Sequence, residues 1–314
     1  MESDVTVREV GLRDGLQLVK QFFPTAAKKR WIAAELAAGV RNIEVTSFVP
    51  AKVLAQFADA EEIAAYSLQQ PGLVVSVLVP NLKGAERAFA AGVHKIGFPL
   101  SASESHNQAN VRKSVDQSLE DFRRIIELRN SNPAWHKIPV EGIVSTSFGC
   151  TIEGMVPEDK VIRLAEKYAE YGADQVALAD TVGYANPVQV KRMFTRLRRS
   201  LGEKFPVSAH FHDTRGLGLA NAYAALETGV RSFDASLAGM GGCPFAPEAT
   251  GNIVTEDLVF MLESAGLRTG IDLERLIEVR KMISENLPDE PLHGLLARAK
   301  LPKGFVSSSA PVAV

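Results

Sequence analysis

The residues His210-Phe211-His212 offer chemistry most directly. Alternate side chains of an extended strand share a face, so both imidazoles point one way, about 7 Å apart along the chain, and Phe211 the other. Two such nitrogens can bind one metal ion. A lone His-x-His can equally be packing, so its neighbours decide. Arg13 and Asp14 lie between Gly11 and Gly15, with Gln17 just beyond. This is either a solvated turn whose glycines let the backbone bend sharply, or a guanidinium–carboxylate pair delivered to a site. Glu44 stands between Ile43 and Val45, and a carboxylate in an apolar strand must be paired. Arg13 is a candidate partner, which would make Glu44 a structural support. Asp180 closes another apolar run, Ala177-Leu178-Ala179. Cys243 lies in a glycine- and proline-rich stretch, residues 239–247, and reads as a proton donor on a closing loop or as a small buried hydrophobe. Asn252 offers a neutral oxygen ligand or an ordinary loop cap. His94, His106, His136 and His293 stand apart and read as surface or packing residues.

These groups are distant in sequence, so a scaffold must gather them. One joint recurs four times: a helical run ends at Gly39, Gly92, Gly172 or Gly229 and leads at once into a β-branched run. Glycine supplies the left-handed conformation that stops a helix. The runs that follow predict strands over 42–45, 95–98, 175–178 and 232–235, and 5–10, 73–79, 140–146 and 207–211 complete a set of eight. Alternating strands and helices imply a parallel sheet, and eight units fit a (β/α)8 TIM barrel. No Gly-x-Gly-x-x-Gly turn follows the first strand, which argues against dinucleotide binding. In a barrel the reactive face is the C-terminal end of the strands, where most of the residues named above fall. Helical periods over 256–265 and 273–286 continue past the eighth strand. The expectation is one catalytic domain over 1–314, with a C-terminal helical extension over about 253–302 and a loose tail over 303–314.

The composition fits. The 314 residues are 46% hydrophobic and 23% charged, with a formal net charge of −2. That balance carries no footprint for nucleic acid or an anionic membrane. Two cysteines make neither a disulfide framework nor a zinc site. The acidic start lacks signal-peptide character, and no apolar run approaches the ~20 residues of a membrane span; a cytoplasmic location is expected. Nucleophile-elbow and Walker-type motifs are absent.

Several segments occur in order across residues 4–285: Arg8-Glu9-Val10-Gly11-Leu12-Arg13-Asp14-Gly15-Leu16-Gln17, Ile43-Glu44-Val45-Thr46-Ser47-Phe48-Val49 and Val79-Pro80-Asn81-Leu82-Lys83-Gly84. They continue with Ser101-Ala102-Ser103-Glu104, Asp180-Thr181-Val182-Gly183, His210-Phe211-His212-Asp213-Thr214, the Cys243 loop, Gly251-Asn252 and Thr255-Glu256-Asp257. Together they resemble the 3-hydroxy-3-methylglutaryl-CoA lyases of the DRE-TIM metallolyase superfamily. The resemblance implies a carbon–carbon lyase of leucine degradation that cleaves a 3-hydroxyacyl-CoA to acetyl-CoA and acetoacetate or a close analogue. It implies Mg²⁺ or Mn²⁺ on Asp14, His210, His212 and Asn252, with Arg13 stabilising an enolate and Cys243 protonating it. Glu44 and Asp180 would organise the site, Gln17 and Ser47 would line the substrate pocket, and Lys83 would meet CoA phosphates unless it is simply solvated. A homodimer or tetramer is implied as well.

The match departs from the family pattern at Leu18-Val19, at Ile152 where a substrate-contacting tyrosine is usual, at Ala177 where serine is common, and at Glu248 where glycine is common. The metal and enolate positions are kept while pocket positions change. This motivates a competing reading, in which the acyl group is longer or less polar. A related aldolase or condensing enzyme is a further reading. A non-catalytic scaffold is the last, and the intact polar set argues against it.

Overall fold

The computed structural model describes residues 3–242 and 251–309. Eight strands form a closed parallel barrel in sequence order: β1 (Thr6–Glu9), β2 (Asn42–Ser47), β3 (Val74–Leu78), β4 (Lys95–Ser101), β5 (Val140–Ser145), β6 (Gln175–Asp180), β7 (Val207–Phe211) and β8 (Ser232–Ala235). The first and last strands pair, Thr6 with Ser232 through Glu9 with Ala235, so no sheet edge is left open. Around them lie α1 (Thr25–Ala37), α2 (Ala60–Leu68), α3 (Leu82–Ala91), α4 (Glu104–Val111), α5 (Val115–Ser131), α6 (Glu158–Tyr171), α7 (Pro187–Leu201) and α8 (Gly218–Glu227). The four glycine joints behave as expected. Gly39, Gly92, Gly172 and Gly229 have φ of 97°, 73°, 102° and 92°, where a Cβ would be strained.

The strands are buried on both faces because helices cover the outside while side chains fill the inside. Tyr168 of α6 shows how closely the layers meet. A Cβ on Gly142 of β5 would lie 2.4 Å from its ring, and its hydroxyl donates to the Phe98 carbonyl at 3.2 Å. Strand β4 runs three residues past the predicted end, through Pro99, which stays in register opposite Ile143. Proline removes one donor without breaking the extended path.

Past β8 come α9 (Thr255–Ser264), α10 (Leu273–Asn286) and α11 (Leu296–Ala299), with α10 packed against α1. The start of the expected loose tail is instead tied down as far as it is described: Ser307 Oγ and Ser309 N donate to the Glu263 carboxylate on α9 at 2.7 and 2.9 Å. Among the described residues no helix is long and apolar enough to cross a membrane.

Inside the barrel a charged layer lies across the strands. Arg8 of β1 makes a two-pronged contact to Asp234 of β8, at 2.7 and 2.8 Å, and reaches Glu141 of β5 at 2.5 Å. Glu141 also accepts from Ser208 at 2.6 Å and lies 3.1 Å from Lys95. Planar guanidinium forks suit such bidentate pairing. Every charge in this layer has a partner.

Candidate active site and metal centre

Strand β1 ends in a π turn, Gly11–Gly15, in which Asp14 N and Gly15 N both donate to the Val10 carbonyl. The glycines serve close approach rather than an unusual φ. A Cβ on Gly11 would sit 2.6 Å from Glu9 Oε1 and 2.9 Å from the Trp31 ring, and one on Gly15 would be 2.9 Å from Ser236 Oγ. π turns inside helical segments recur at functional sites. This one turns Arg13 and Asp14 into the barrel mouth, where both are buried. Arg13 Nε binds Glu44 Oε2 and Arg13 Nη1 binds Asp14 Oδ1. The pairing read from sequence therefore exists. β2 bulges between Glu44 and Thr46, re-aiming the strand end that carries the glutamate.

His210 and His212 do share a face. Their rings lie 5.1 Å apart, their Nε2 atoms are 3.1 Å apart, and Asp14 Oδ2 is 3.5 Å from His212 Nε2 and 3.9 Å from His210 Nε2. These three residues can present ligand atoms within 4.8 Å of one another. Asn252 joins them through a short return strand: Asp213 N donates to the Gly251 carbonyl and Ile253 N to the Phe211 carbonyl. Only glycine fits at 251, because a Cβ would meet the Gly239 carbonyl oxygen at 2.0 Å. Asn252 Nδ2 donates to Asp14 Oδ2 at 2.7 Å, while Asn252 Oδ1 is buried with no partner among the described residues.

The donor set fits a divalent cation. Asp234 Oδ2 lies 3.2 Å from His210 Nδ1, which assigns the proton to Nδ1 and leaves the Nε2 lone pair facing Asp14. Two imidazole Nε2 atoms at contact distance need a proton or a cation between them. Burial alone would raise the Asp14 carboxyl, but the Arg13 charge and the nearby imidazoles hold it far below the usual carboxylate range. It is therefore anionic at neutral pH. Burial works to lower the His210 value, and Asp234 and Asp14 together outweigh it and raise it. A carboxylate, two imidazoles and an amide oxygen are ligands that suit a divalent cation.

The other expected site residues divide. Gln17 lines a cavity of about 520 Å³ that also contains Arg13, Asp14, His210 and His212. Asp180 stays outside the cavity lining and holds the turn after β6, accepting from Tyr184 N at 2.8 Å and Ala185 N at 3.0 Å; burial raises its pKa. Ser47 departs from its expected role. It is fully buried, donates to the Leu78 carbonyl at 3.3 Å and does not line the cavity. Ile152 departs too. It is 49% exposed, is not among the residues lining the cavity, and sits in the turn closed by the Cys150–Gly154 bridge. Cys243 and Glu248 lie outside the described residues.

Sequence reading also missed part of the wall. His106, set aside as surface or packing, lines the cavity with Nδ1 2.7 Å from Ser101 Oγ, and Asn110 and Lys113 line it too. His106 and Asn110, four residues apart, share one face of α4 (Glu104–Val111), and Lys113 follows just past its left-handed cap at Arg112; the i, i+4 spacing was a usable signal. Leu18, Val53 and Leu54 supply an apolar wall.

The HMGL-like family model matches residues 4–283. Hydroxymethylglutaryl-CoA lyase of Bacillus subtilis is 39% identical over 286 residues, covering 90% of this chain and 93% of that protein. The corresponding lyase of Pseudomonas mevalonii is also 39% identical over 286 residues, covering 90% and 92%. A solved structure of an HMG-CoA lyase from Acinetobacter baumannii, in complex with coenzyme A and 3-methylmalate, superposes with a TM-score of 0.89 at 40% identity and covers 98% of each chain. The carboxyl transferase domain of Rhizobium etli pyruvate carboxylase, at 18% identity and a TM-score of 0.66, shares the fold alone. This chain belongs to the HMGL-like family, and it is a carbon–carbon lyase.

Proposed function

We propose that this lyase cleaves 3-hydroxy-3-methylglutaryl-CoA into acetyl-CoA and acetoacetate, with Mg²⁺ or Mn²⁺ held by Asp14, His210, His212 and Asn252. One observation carries the reading: Asp14, His210 and His212 bring ligand atoms within 4.8 Å of one another at the cavity that Arg13 also lines, with Asn252 bonded to Asp14. A divalent cation bound there supplies Lewis acidity toward the 3-hydroxyl. As the hydroxyl proton leaves to a base, its oxygen forms a carbonyl and the C2–C3 bond breaks, its electron pair passing to the thioester enolate. Arg13, fixed by Glu44, meets that negative charge with a planar fork of donors and needs no rearrangement. Protonation at C2 completes acetyl-CoA, and Cys243 is the proposed donor. Asp180 holds the β6 turn at the rim, and Gln17 contacts the acyl group.

The direct test is formation of both products from the CoA thioester with Mg²⁺ or Mn²⁺, and its loss on chelation. No cleavage in the presence of metal would overturn the proposal. The apolar wall of Leu18, Val53 and Leu54 favours a second reading, in which the 3-alkyl branch is longer than methyl. A higher kcat/KM for a longer-branched thioester would establish it. We also propose a cytoplasmic homodimer or homotetramer, to be checked by light scattering and fractionation.

A further inference from the structure

The other end of the barrel holds a second cavity, of about 460 Å³. Its walls include the first residue of seven strands: Thr6, Asn42, Val74, Lys95, Gln175, Val207 and Ser232. It is therefore the N-terminal mouth, on the opposite side of the charged layer from the metal site. Its floor is neutralised, since Arg8 and Lys95 face Asp234 and Glu141.

The rim is not. Arg198 on α7, Lys204 in the loop after α7 and Arg231 just before β8 line the cavity against one carboxylate, Glu203. Among the described residues none of these three cations has an ion pair. Both guanidiniums are nevertheless held in place by backbone carbonyls. Arg231 Nη1 donates to Leu226 O at 3.0 Å and Val230 O at 2.9 Å, and Arg198 Nη1 donates to Gly229 O at 3.4 Å. Gly229 makes room for the Arg198 guanidinium, since a Cβ there would lie 3.2 Å from Arg198 Cζ. Asp4, which feels the Arg231 charge, is itself bonded to Arg268 through both carboxylate oxygens. Ordinary surface arginines swing freely in water. These are anchored with their charge uncompensated, and anchoring reduces the ordering cost of binding an anion.

The geometry points to a phosphate-binding site at this N-terminal mouth, taking a small anion of the pyrophosphate class through Arg198, Arg231 and Lys204. Guanidinium pairs suit phosphate oxygens, and Lys204 adds a mobile point charge. The same chemistry is offered by free pyrophosphate and by the diphosphate of a nucleotide.

Calorimetric titration of the purified protein with inorganic pyrophosphate and with ADP, at matched ionic strength, tests this. Saturable binding is expected, weakened about tenfold or more in Arg231→Gln and in Lys204→Glu, and unchanged in His210→Ala, whose ring lies on the metal side of the charged layer and touches none of the three cations. The Lys204 variant removes no hydrogen bond, so loss of folding cannot imitate the result. Tighter binding of ADP would identify a nucleotide as the source, and equal or weaker binding would identify the free anion. No saturable binding at millimolar anion, or binding lost in His210→Ala but kept in Arg231→Gln and Lys204→Glu, would overturn the proposal. Neither arm measures turnover, so the outcome does not depend on the lyase substrate.

Discussion

Two polar layers lie within a few residues of each other along the same strands, and they are built on opposite principles. In the lower one, Arg8, Glu141, Asp234 and Lys95 satisfy one another, and none of their buried atoms lacks a partner. In the upper one, Glu44 Oε1, His212 Nδ1 and Asn252 Oδ1 are buried without partners among the described residues. Leaving such atoms unmet costs roughly 1–3 kcal/mol each. A fold that completes one layer and leaves the next open has separated scaffold from site. The upper layer carries the site, and the closed one holds it in place. Asp234 joins the two by gripping Arg8 below and His210 above.

The comparison breaks most visibly at His210. Replacing it with alanine removes one of the proposed ligands and leaves Asp14 facing a single imidazole. Mn²⁺ affinity, read by titration, is expected to fall about 100-fold or more, and activity about 1,000-fold, the size of a lost Lewis acid. Thermal stability should barely change, since the open layer contributes little to it. A large loss of stability with intact metal binding would refute the division.

Arg8→Met inverts this pattern. It takes the guanidinium away from buried Asp234 and leaves Glu141 only Lys95 and Ser208, so denaturant unfolding should show a loss of about 3–5 kcal/mol. If stability holds, the lower layer is not scaffold. Arg13→Met falls between the two. It removes a donor to developing negative charge, which costs about 2.7–4 kcal/mol in the chemical step, or roughly 10²–10³ in kcat. Because Arg13 is not a ligand, metal titration should be almost unchanged, and that split sharpens the assignment of roles within the upper layer.

Sequence alone showed the scaffold well because its signals are local. A glycine with positive φ ends a helix wherever it stands, so Gly39, Gly92, Gly172 and Gly229 marked four strand starts. The His210–His212 alternation and the Arg13–Glu44 pairing were legible for the same reason: period and charge balance act at short range. Residues whose role depends on direction across loops were not legible. Ser47 follows Thr46 on a strand that bulges, and past the bulge the face a residue occupies no longer follows from alternation. Ile152 sits in a turn closed by the Cys150–Gly154 bridge, which no local sequence pattern announces. His106 lay on a helix not foreseen as a separate element, capped by Ser103 accepting from His106 N at 3.1 Å.

A third group of buried acids supports the π turn from behind and yields the smallest effect. Glu9 Oε1 accepts from Gly11 N at 2.7 Å and Leu237 N at 2.8 Å, and Oε2 accepts from Thr255 Oγ1 at 2.5 Å. One carboxyl thus joins the catalytic turn to the segment after β8 and to α9. Burial pushes it up to about 7, and burial also raises Glu35 and Glu256 nearby. A carboxyl whose folded value lies above its unfolded one binds more protons in the native state, so stability falls as pH rises between the two values. The Glu9 contribution to the unfolding free energy should therefore decline from about pH 4.5 to about pH 7 and then level off. Glu9→Gln keeps an oxygen for the two backbone donors and cannot ionise. It is expected to remove about 1–3 kcal/mol of that decline, with the wild type and variant curves meeting at the acid end. Parallel curves would mean that Glu9 is ionised throughout and that the charge on this third group, like that of the lower layer, is fully compensated.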